Sequence, residues 1–495
     1  MDAQFKLLVD PAAHSLKTGE EFKRSLDDGR ALWVNGKRLN SVFDEPALAA
    51  GIDLLASMFD DQFKPEFADA TTYVDPHSGR VASRAWQVPR TIADLQDRRK
   101  MIEYTSLKTA GTFGRPPDLA PAIAVGLLAY LPTFKAKRSL IDGCTPDFAE
   151  NIERYVQYGR DQNLTASESL TGPQNDRSSP KGVEASLLKV KSVEPGGIRI
   201  SGIKTVGSVS AQANEIFFTN LGGIRDTPAE ACIWASVPVA SGGIRMISRE
   251  MVSHPGSSAF DHPIGHLGEE ADQLIIFDNV FVPAERIFNL GDPAAMQYYG
   301  PVCVFAHWHV LTRLAVKAEL FVGAGQLVLD VLGTGHIPAV QSMLGELIEY
   351  AQTLRAFITA AEALAKPTEG DVMAPDVGML TSGRLHSIQH YPRIIHTLQE
   401  LCGQGLVMRF GKAAFDNPDI GHYLHDMLPG KGVSAETKEV LMNFIWDMTA
   451  SSLAGRIALF ENVNASPAPR LRERLYNEVK RDRFVDQVKQ LAGMR

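Results

Sequence analysis

Cysteine is scarce in this chain, and its spacing fits neither a metal site nor a disulfide scaffold. The 495 residues include only four cysteines, which lie far apart in the sequence: Cys144, Cys232, Cys303 and Cys402. Metal-binding motifs place cysteines a few residues apart, and disulfide scaffolds use more of them in shorter chains. We therefore expect a reducing, cytoplasmic location and no bound metal.

The sequence also lacks a long apolar run and a block of basic residues. No apolar stretch approaches the roughly 20 residues that span a bilayer. The first ten residues lack the basic start and apolar core of a signal peptide. The net charge is −8, without the positive patch that nucleic-acid binding requires. These absences predict no membrane or nucleic-acid partner and favour small-molecule ligands.

The common catalytic motifs are missing as well. Phosphate loops, zinc-binding HExxH helices and GxSxG nucleophile turns do not occur in the sequence. Gly323 and Gly325 come nearest to a dinucleotide-binding glycine run, but they lie within a helical pattern, which favours close helix packing. His307 and His309 are two residues apart and therefore point to different faces of a helix, which argues against a metal site.

What is present is a large chain of ordinary globular composition, 44% hydrophobic and 22% charged. At roughly 100 to 200 residues per domain, its length corresponds to about two to four domains. A chain of this size can enclose a deep active site.

The hydrophobic period divides the chain into three parts. Helical spacing dominates the first part, where Asn35-Gly36 indicates one β-hairpin. β-branched runs with glycine and proline turns then predict a β-barrel or sandwich. The helical period returns in the last part, including a long amphipathic helix over Val340 to Ala361 and a loop over 366–378. We predict a mainly helical N-terminal domain with a small hairpin (1–145), a middle β-domain (146–292) and a C-terminal helical bundle with a tail (293–495).

Short motifs along the chain carry a resemblance to a known family. They occur in the family's order from about residue 20 to residue 460, so together they are more specific than any one alone. The motifs are TGEEF (18–22), SLDDGR (25–30), VNG (34–36), GTFGRPPD (111–118), TGPQNDRS (171–178), GIKTVGS (202–208), FDHP (260–263), FDNVFVP (277–283), LGE (344–346), GQG (403–405) and GR (455–456). On these residues, the chain resembles the oxygenase component of 4-hydroxyphenylacetate 3-monooxygenase and its relatives.

This resemblance implies an α+β, acyl-CoA dehydrogenase-like fold that uses FAD in its reduced form, FADH2. In such enzymes a separate NAD(P)H-dependent reductase supplies the reduced flavin, which reacts with O2 to give a C4a-hydroperoxide. The distal oxygen attacks an aromatic ring, here a phenol, an indole or an aryl amine. The protein must exclude water and help to remove a substrate proton. The same resemblance implies a homotetramer built through the late bundle helices.

The expected flavin contacts fall in four segments of the chain. Pro173 fixes a turn that is followed by amide and guanidinium donors, which suit the carbonyl-rich edge and the phosphates of a flavin. Ser208 matches a threonine that contacts the flavin from the β-domain. The resemblance assigns flavin binding to Glu168, Ser169, Leu170, Gln174, Asn175, Asp176, Arg177, Ser208, Ser451, Ser452, Leu453 and Ala454.

The expected substrate pocket departs from the family pattern. Family members place an arginine, a tyrosine four residues later and a histidine around the substrate, and the alignment puts Arg98, Ile102 and Glu168 at these positions. Loss of the tyrosine makes the pocket more apolar, and an ionised glutamate accepts hydrogen bonds but cannot donate them. We therefore do not expect a simple hydroxyphenylacetate as substrate. The predicted substrate-binding residues are Arg98, Arg99, Ile102, Glu168, Asn220 and Leu221.

Glu168 and Arg98 are the predicted catalytic residues, and two roles for Glu168 stay open. Glu168 is either a general base toward a phenol, indole or amine N–H, or an anchor for the flavin ribityl chain or a neighbouring arginine. In the first case Arg98 or Arg99 orients an anionic end of the substrate. Ile102 is explained nearly as well by packing in the core of its helix.

Other functions of the same fold remain as alternatives. A dehydratase with flavin and an iron–sulfur cluster would need a CxxxC pair near residues 100 to 110, and the first cysteine is Cys144. An acyl-CoA dehydrogenase-like oxidoreductase accounts less well for the motifs above. A non-catalytic flavin-fold scaffold is compatible with the altered pocket.

Overall fold

The N-terminal part of the chain is mainly helical, as its apolar spacing predicts. The computed structural model describes residues 14–176, 178, 187–221, 227–464 and 466–494. The helices of the first part are α1 (Gly19–Ser25), α2 (Pro46–Asp61), α3 (Pro65–Thr71), α4 (Ile92–Lys108), α5 (Leu119–Ala129), α6 (Leu131–Ala136) and α7 (Phe148–Asp161). Helix α4 begins at a capping box, in which the Thr91 hydroxyl and the Asp94 carboxylate each accept a backbone N–H of the other residue.

Two β-sheets form the middle of the chain. Their order is β2-β1-β10-β11-β7-β6 in the larger sheet and β12-β9-β8-β5 in the smaller one. Phe218 and Phe277 pack between the sheets with ring centroids 5.0 Å apart, so the β-domain is a sandwich. The strands of the two sheets are β1 (Leu32–Val34), β2 (Lys37–Arg38), β5 (Ala166–Ser169), β6 (Lys189–Glu194), β7 (Gly197–Lys204), β8 (Glu215–Thr219), β9 (Ile233–Pro238), β10 (Ile244–Ser248), β11 (Gln273–Pro283) and β12 (Ile287–Leu290). A separate small hairpin joins β3 (Thr72–Val74) and β4 (Val81–Ser83).

The hairpin predicted at Asn35-Gly36 forms, but it is part of the β-domain's larger sheet. Asn35 and Gly36 have φ angles of 50° and 76°, as a tight hairpin turn requires. Strand β1 then pairs in parallel with β10, with Leu32 opposite Met246. The first part of the chain therefore completes the sandwich instead of keeping the hairpin among its own helices.

The C-terminal part is a helical bundle, and its helices follow the predicted spacing. Gly325 lies at a helix crossing, where an added Cβ would be 3.0 Å from Leu344 Cδ1, so close packing explains the glycine. The segment expected as a loop contains a short hairpin of β13 (Lys366–Pro367) and β14 (Met373–Ala374). The helices are α8 (Pro293–Met296), α9 (Tyr299–Val302), α10 (Val304–Leu332), α11 (Pro338–Ala363), α12 (Val377–Cys402), α13 (Lys412–Phe415), α14 (Gly421–Met427), α15 (Ala435–Thr449), α16 (Ser452–Asn464), α17 (Ala468–Glu478) and α18 (Asp482–Ala492).

Buried polar contacts join the bundle to the β-domain. The Asp447 carboxylate of α15 accepts the backbone N–H groups of Ile264 and Gly265 at 3.0 and 2.8 Å. Within the helical layers, Glu461 of α16 pairs with Arg313 at 2.6 Å and also with Lys317. Arg456 of α16 also pairs with Asp272, just before β11, so this helix lies beside the start of β11, where the candidate site is.

The described residues include neither a membrane-spanning helix nor a cluster of metal ligands. No helix there is both long and apolar enough to cross a membrane. No group of three or more His, Cys, Asp or Glu side chains there could hold a metal ion.

Candidate active site

The carboxylate of Glu168 lies at the centre of the candidate site. Glu168 is in β5, its side chain is 7% exposed, and its Oε1 is 2.5 Å from Nε of Arg115. This ion pair agrees with both roles left open by the sequence, because a carboxylate that anchors an arginine can still accept a proton. The arginine is in the loop between α4 and α5, within the GTFGRPPD motif.

Glu270 and Phe460 fix the position of that loop. The backbone N–H groups of Gly114 and Arg115 both donate to the Glu270 carboxylate at 2.7 Å. The Arg115 guanidinium lies 5.3 Å from the centre of the Phe460 ring. Only glycine fits at position 114, because an added Cβ would be 1.8 Å from Phe460 Cε1.

A second arginine extends the network to Ser208. Arg456 of α16 donates to Glu270 at 2.7 Å and to Asp272 at 2.6 and 3.0 Å, and the Ser208 hydroxyl donates to Asp272 at 2.5 Å. Burial alone would raise the pKa of Asp272, but the charge and hydrogen bonds of Arg456, with the charge of Arg249, lower it to about 2. Hydrogen bonds and ion pairs thus connect Glu168, Arg115, Glu270, Arg456, Asp272 and Ser208.

Three of the four predicted flavin segments contain or adjoin members of this network: 168–170, Ser208 and 451–454. Thr171 and Thr205 are joined by two hydrogen bonds of 3.0 Å, which hold the segment after β5 against the segment that ends at Ser208. Ser451 caps α16, because its hydroxyl accepts the N–H of Ala454 at 3.1 Å. Ser452 is exposed, Leu453 and Ala454 are buried, and Gln174, Asn175 and Asp176 are exposed on the loop. Arg177 lies outside the described residues.

The residues around Glu168 fit a bound flavin. Ser169, which follows Glu168 in β5, is fully buried, and its hydroxyl has no hydrogen-bond partner among the described residues. Such a group costs free energy unless a ligand or water satisfies it. The hydroxyl, the arginines and the start of α16 provide the donors that the oxygen-rich parts of FAD need. These segments would hold the cofactor between the β-domain and the bundle.

A second cluster, which the sequence did not predict, adjoins Glu168. Burial, followed by the charge of Glu168, raises the pKa of Cys303 to about 12, and the Tyr299 hydroxyl is hydrogen-bonded to this thiol. His307 Nδ1 accepts from Arg474 at 3.4 Å, since arginine can only donate. Burial, then the charges of Arg384, Arg474 and Arg115, lower the pKa of this imidazole well below its usual value. The cluster therefore holds a neutral histidine among cations.

Some of the predicted substrate-binding residues already form hydrogen bonds or ion pairs with other residues of the protein. Arg98 is 2% exposed and donates to the backbone carbonyls of Gln87 and Ala85 at 2.8 and 2.9 Å. Burial lowers the pKa of its guanidinium to about 10. Arg99 pairs with Glu362 at 3.3 Å, and Ile102 is buried in the core.

Asn220 and Leu221 lie beyond the end of β8. The Asn220 amide donates to the carbonyls of Leu188 and Ala231 at 2.8 and 2.7 Å. Leu221 is half-buried. The substrate roles of these residues and of Arg98, Arg99 and Ile102 stay predictions.

The architecture of helices, β-sandwich and helical bundle defines an acyl-CoA dehydrogenase-like flavoprotein fold. The model of the 4-hydroxyphenylacetate 3-hydroxylase N-terminal region matches residues 18–289, and that of its C-terminal region matches residues 295–493. The chain belongs to the 4-hydroxyphenylacetate 3-hydroxylase family.

Individual relatives agree with this family. The chain is 30% identical over 456 residues to the oxygenase component of 4-nitrophenol 4-monooxygenase/4-nitrocatechol 2-monooxygenase of Rhodococcus opacus, covering 91% of this chain and 86% of the relative. It is 28% identical to the 4-hydroxyphenylacetate 3-monooxygenase oxygenase component of Thermus thermophilus, covering 96% of each. A crystal structure of such an oxygenase component complexed with FAD superposes with a TM-score of 0.87 at 27% identity, covering 96% of this chain and 98% of the other.

These matches confirm the predicted fold class and the prediction of an FAD-dependent, two-component aromatic monooxygenase. The oxygenase component of such a system works with a partner reductase and an aromatic substrate. The dehydratase, dehydrogenase and scaffold alternatives are not favoured.

Proposed function

We propose that this oxygenase component hydroxylates a phenol at the cluster around Glu168 and Arg115. The observation that carries the proposal is the buried ion pair of these residues, which hydrogen bonds through Glu270 and Arg456 connect to Ser208. Reduced FAD, when bound, supplies the activated oxygen. The protein's own residues bind the phenol, orient it and exclude water.

Glu168 is our candidate for the group that takes the phenolic proton. Its carboxylate is held by Arg115, whose charge also offsets the negative charge of a phenolate. A phenolate ring is richer in electrons than a phenol ring and is therefore more easily attacked by an electrophilic oxygen. His307 is the second candidate acceptor, because its imidazole lies 3.4 Å from Arg474, whose charge would stabilise a phenolate.

A phenol is favoured over an indole or an aryl amine because both relatives above are named for phenolic substrates. We infer that the substrate is not 4-hydroxyphenylacetate itself. The support is the replacement of the family's tyrosine and histidine by Ile102 and Glu168, which changes both the polarity and the donor capacity of the pocket.

We also propose a cytoplasmic homotetramer. The absence of paired cysteines supports a reducing compartment. The family resemblance supports the tetramer, and the exposed apolar face of α18, with Val488 61% and Leu491 89% exposed, supports contact with another copy.

Glu168→Gln tests the proposed base. Glutamine keeps the shape of the side chain and one acceptor oxygen but cannot take a proton. With a flavin reductase supplied in trans, we expect unchanged FAD affinity, a loss of hydroxylated product of about 100-fold, and a matching rise in released hydrogen peroxide. Product and peroxide are quantified together by chromatography and a peroxidase assay.

Glu215→Gln is the matched control, because Glu215 is also buried in the β-domain and pairs with Arg286 at 2.8 Å. It should leave the ratio of product to peroxide unchanged. An unaltered ratio of hydroxylated product to peroxide in Glu168→Gln would contradict the role of Glu168 as base. If the loss follows His307→Asn instead, Glu168 is only the anchor of Arg115.

A further inference from the structure

Lys204 is a fully buried cation without a carboxylate partner among the described residues. It lies at the end of β7 and is 0% exposed. Its Nζ donates to Asn220 Oδ1 at 2.5 Å and to the backbone carbonyl of Leu170 at 3.2 Å, and both acceptors are uncharged. Two other buried cations, Arg286 and Arg456, pair with Glu215 and Glu270 respectively.

A buried ammonium with only neutral acceptors is costly to keep charged. Burial lowers the pKa of Lys204 to about 7 and is the only cause of that shift. A neutral side chain of similar length would avoid this cost. Packing of the sandwich alone therefore does not explain why an ionisable lysine occupies position 204.

That position is next to a predicted flavin segment. Leu170, whose carbonyl accepts from Lys204, is one of the three consecutive residues 168–170 assigned to the cofactor. Its neighbour Ser169 carries the buried hydroxyl without a partner. Lys204 is also adjacent to Thr205, which binds the Thr171 backbone. A group bound at this strand end would therefore lie close to the ammonium.

We propose that Lys204 is a positioning residue that holds Leu170 and favours the anionic, reduced flavin over the oxidised one. The inference rests on the proposed function, because it takes FAD as the occupant. Reduced flavin carries a negative charge on its pyrimidine edge after loss of the N1 proton, whereas oxidised flavin is neutral there. A nearby ammonium without a carboxylate partner among the described residues stabilises this anion selectively, and the bound anion in turn keeps Lys204 protonated despite its burial.

The test compares Lys204→Gln with Lys204→Arg. Glutamine retains a donor toward Leu170 but removes the charge, and arginine retains the charge. Dissociation constants are measured for oxidised FAD in air and for reduced FAD under anaerobic conditions, together with the midpoint potential of the bound cofactor. We expect Lys204→Gln to weaken the binding of reduced FAD on the order of tenfold and the binding of oxidised FAD much less. The midpoint potential of the bound cofactor should become more negative. Lys204→Arg should retain most of the preference.

Lys191→Met is the control at an exposed lysine of β6, and it should alter neither affinity. Lys204→Met repeats the test with a second neutral side chain, in case the glutamine variant does not fold. Equal weakening of both FAD forms would overturn the proposal, because a merely structural lysine predicts that result. An unchanged preference of Lys204→Gln for reduced over oxidised FAD would also overturn it, but would not contradict the proposed oxygenase function. The proposed function itself fails separately, if the wild-type chain forms no hydroxylated product.

Discussion

Asp272 shows how much of the site depends on single charged groups. Its carboxylate binds Arg456 of α16, Arg249 beyond β10 and the hydroxyl of Ser208. One side chain thus joins the β-domain to the bundle. Because its pKa is lowered in the folded protein, Asp272 stabilises the fold above its unfolded pKa, and this contribution is lost as the pH falls toward about 2.

We expect Asp272→Asn to lower the free energy of unfolding by roughly 2 kcal/mol at pH 7. The difference from the wild type should shrink between about pH 4 and pH 2, where the wild-type carboxylate takes up its proton. Urea unfolding at a series of pH values measures both effects. Asp53→Asn is the control, since Asp53 is 64% exposed and its one ion pair among the described residues is with Lys23. A difference that does not depend on pH would contradict this account of Asp272.

The sequence pointed to some residues of the candidate site and missed others. Ser208 was singled out because it ends a recognisable motif, and Glu168 because it lies a few residues before another one. Arg115 lies in one of the motifs too, but its partner could not be known, because the fold brings together two segments that are distant in the chain. Tyr299, His307 and Arg384 were missed. The available signal was a set of polar residues within apolar helical segments, which is weak without knowledge of which faces meet.

At the scale of elements, the hydrophobic period predicted whether a segment is a helix or a strand better than it predicted which strands pair. The long amphipathic pattern became α11 over Pro338–Ala363, and Asn35-Gly36 became a hairpin. The pairing of β1 with β10 was not predictable, because local turn chemistry fixes the hairpin but not the sheet that it joins. The hairpin in the segment 366–378 was also missed, since its strands are only two residues long.

Helix α18 carries an apolar face that is exposed in the single chain. Phe484, Val485, Val488 and Leu491 recur at helical spacing and are 48–89% exposed. We expect the double substitution Val488→Glu with Leu491→Glu to dissociate the proposed tetramer into smaller species, because charges on a buried apolar face are unfavourable. Sedimentation velocity measures the change.

Gln490→Glu is the control, because it adds a negative charge to the opposite face of α18. It should leave the assembly intact. An unchanged sedimentation coefficient in the double variant would show that this face is not part of the subunit contacts.

At the scale of the whole molecule, no single layer supplies the site. The helical part contributes Arg115, the sandwich contributes Glu168, Ser208 and Asp272, and the bundle contributes Arg456. Neighbouring buried charges connect these layers, so the site exists only in the assembled chain. Order of parts and motif content were enough to predict the fold class and the family from the sequence. Details of the substrate pocket were not, because they depend on how the layers meet.

The most direct test of the central claim is the fate of labelled oxygen. The chain is mixed with reduced FAD, a phenol that it turns over and ¹⁸O₂, and the product is analysed by mass spectrometry. We predict one ¹⁸O atom in each hydroxylated product molecule, with little hydrogen peroxide. Product that carries oxygen from water, or peroxide as the sole product across a panel of phenols, would contradict the account.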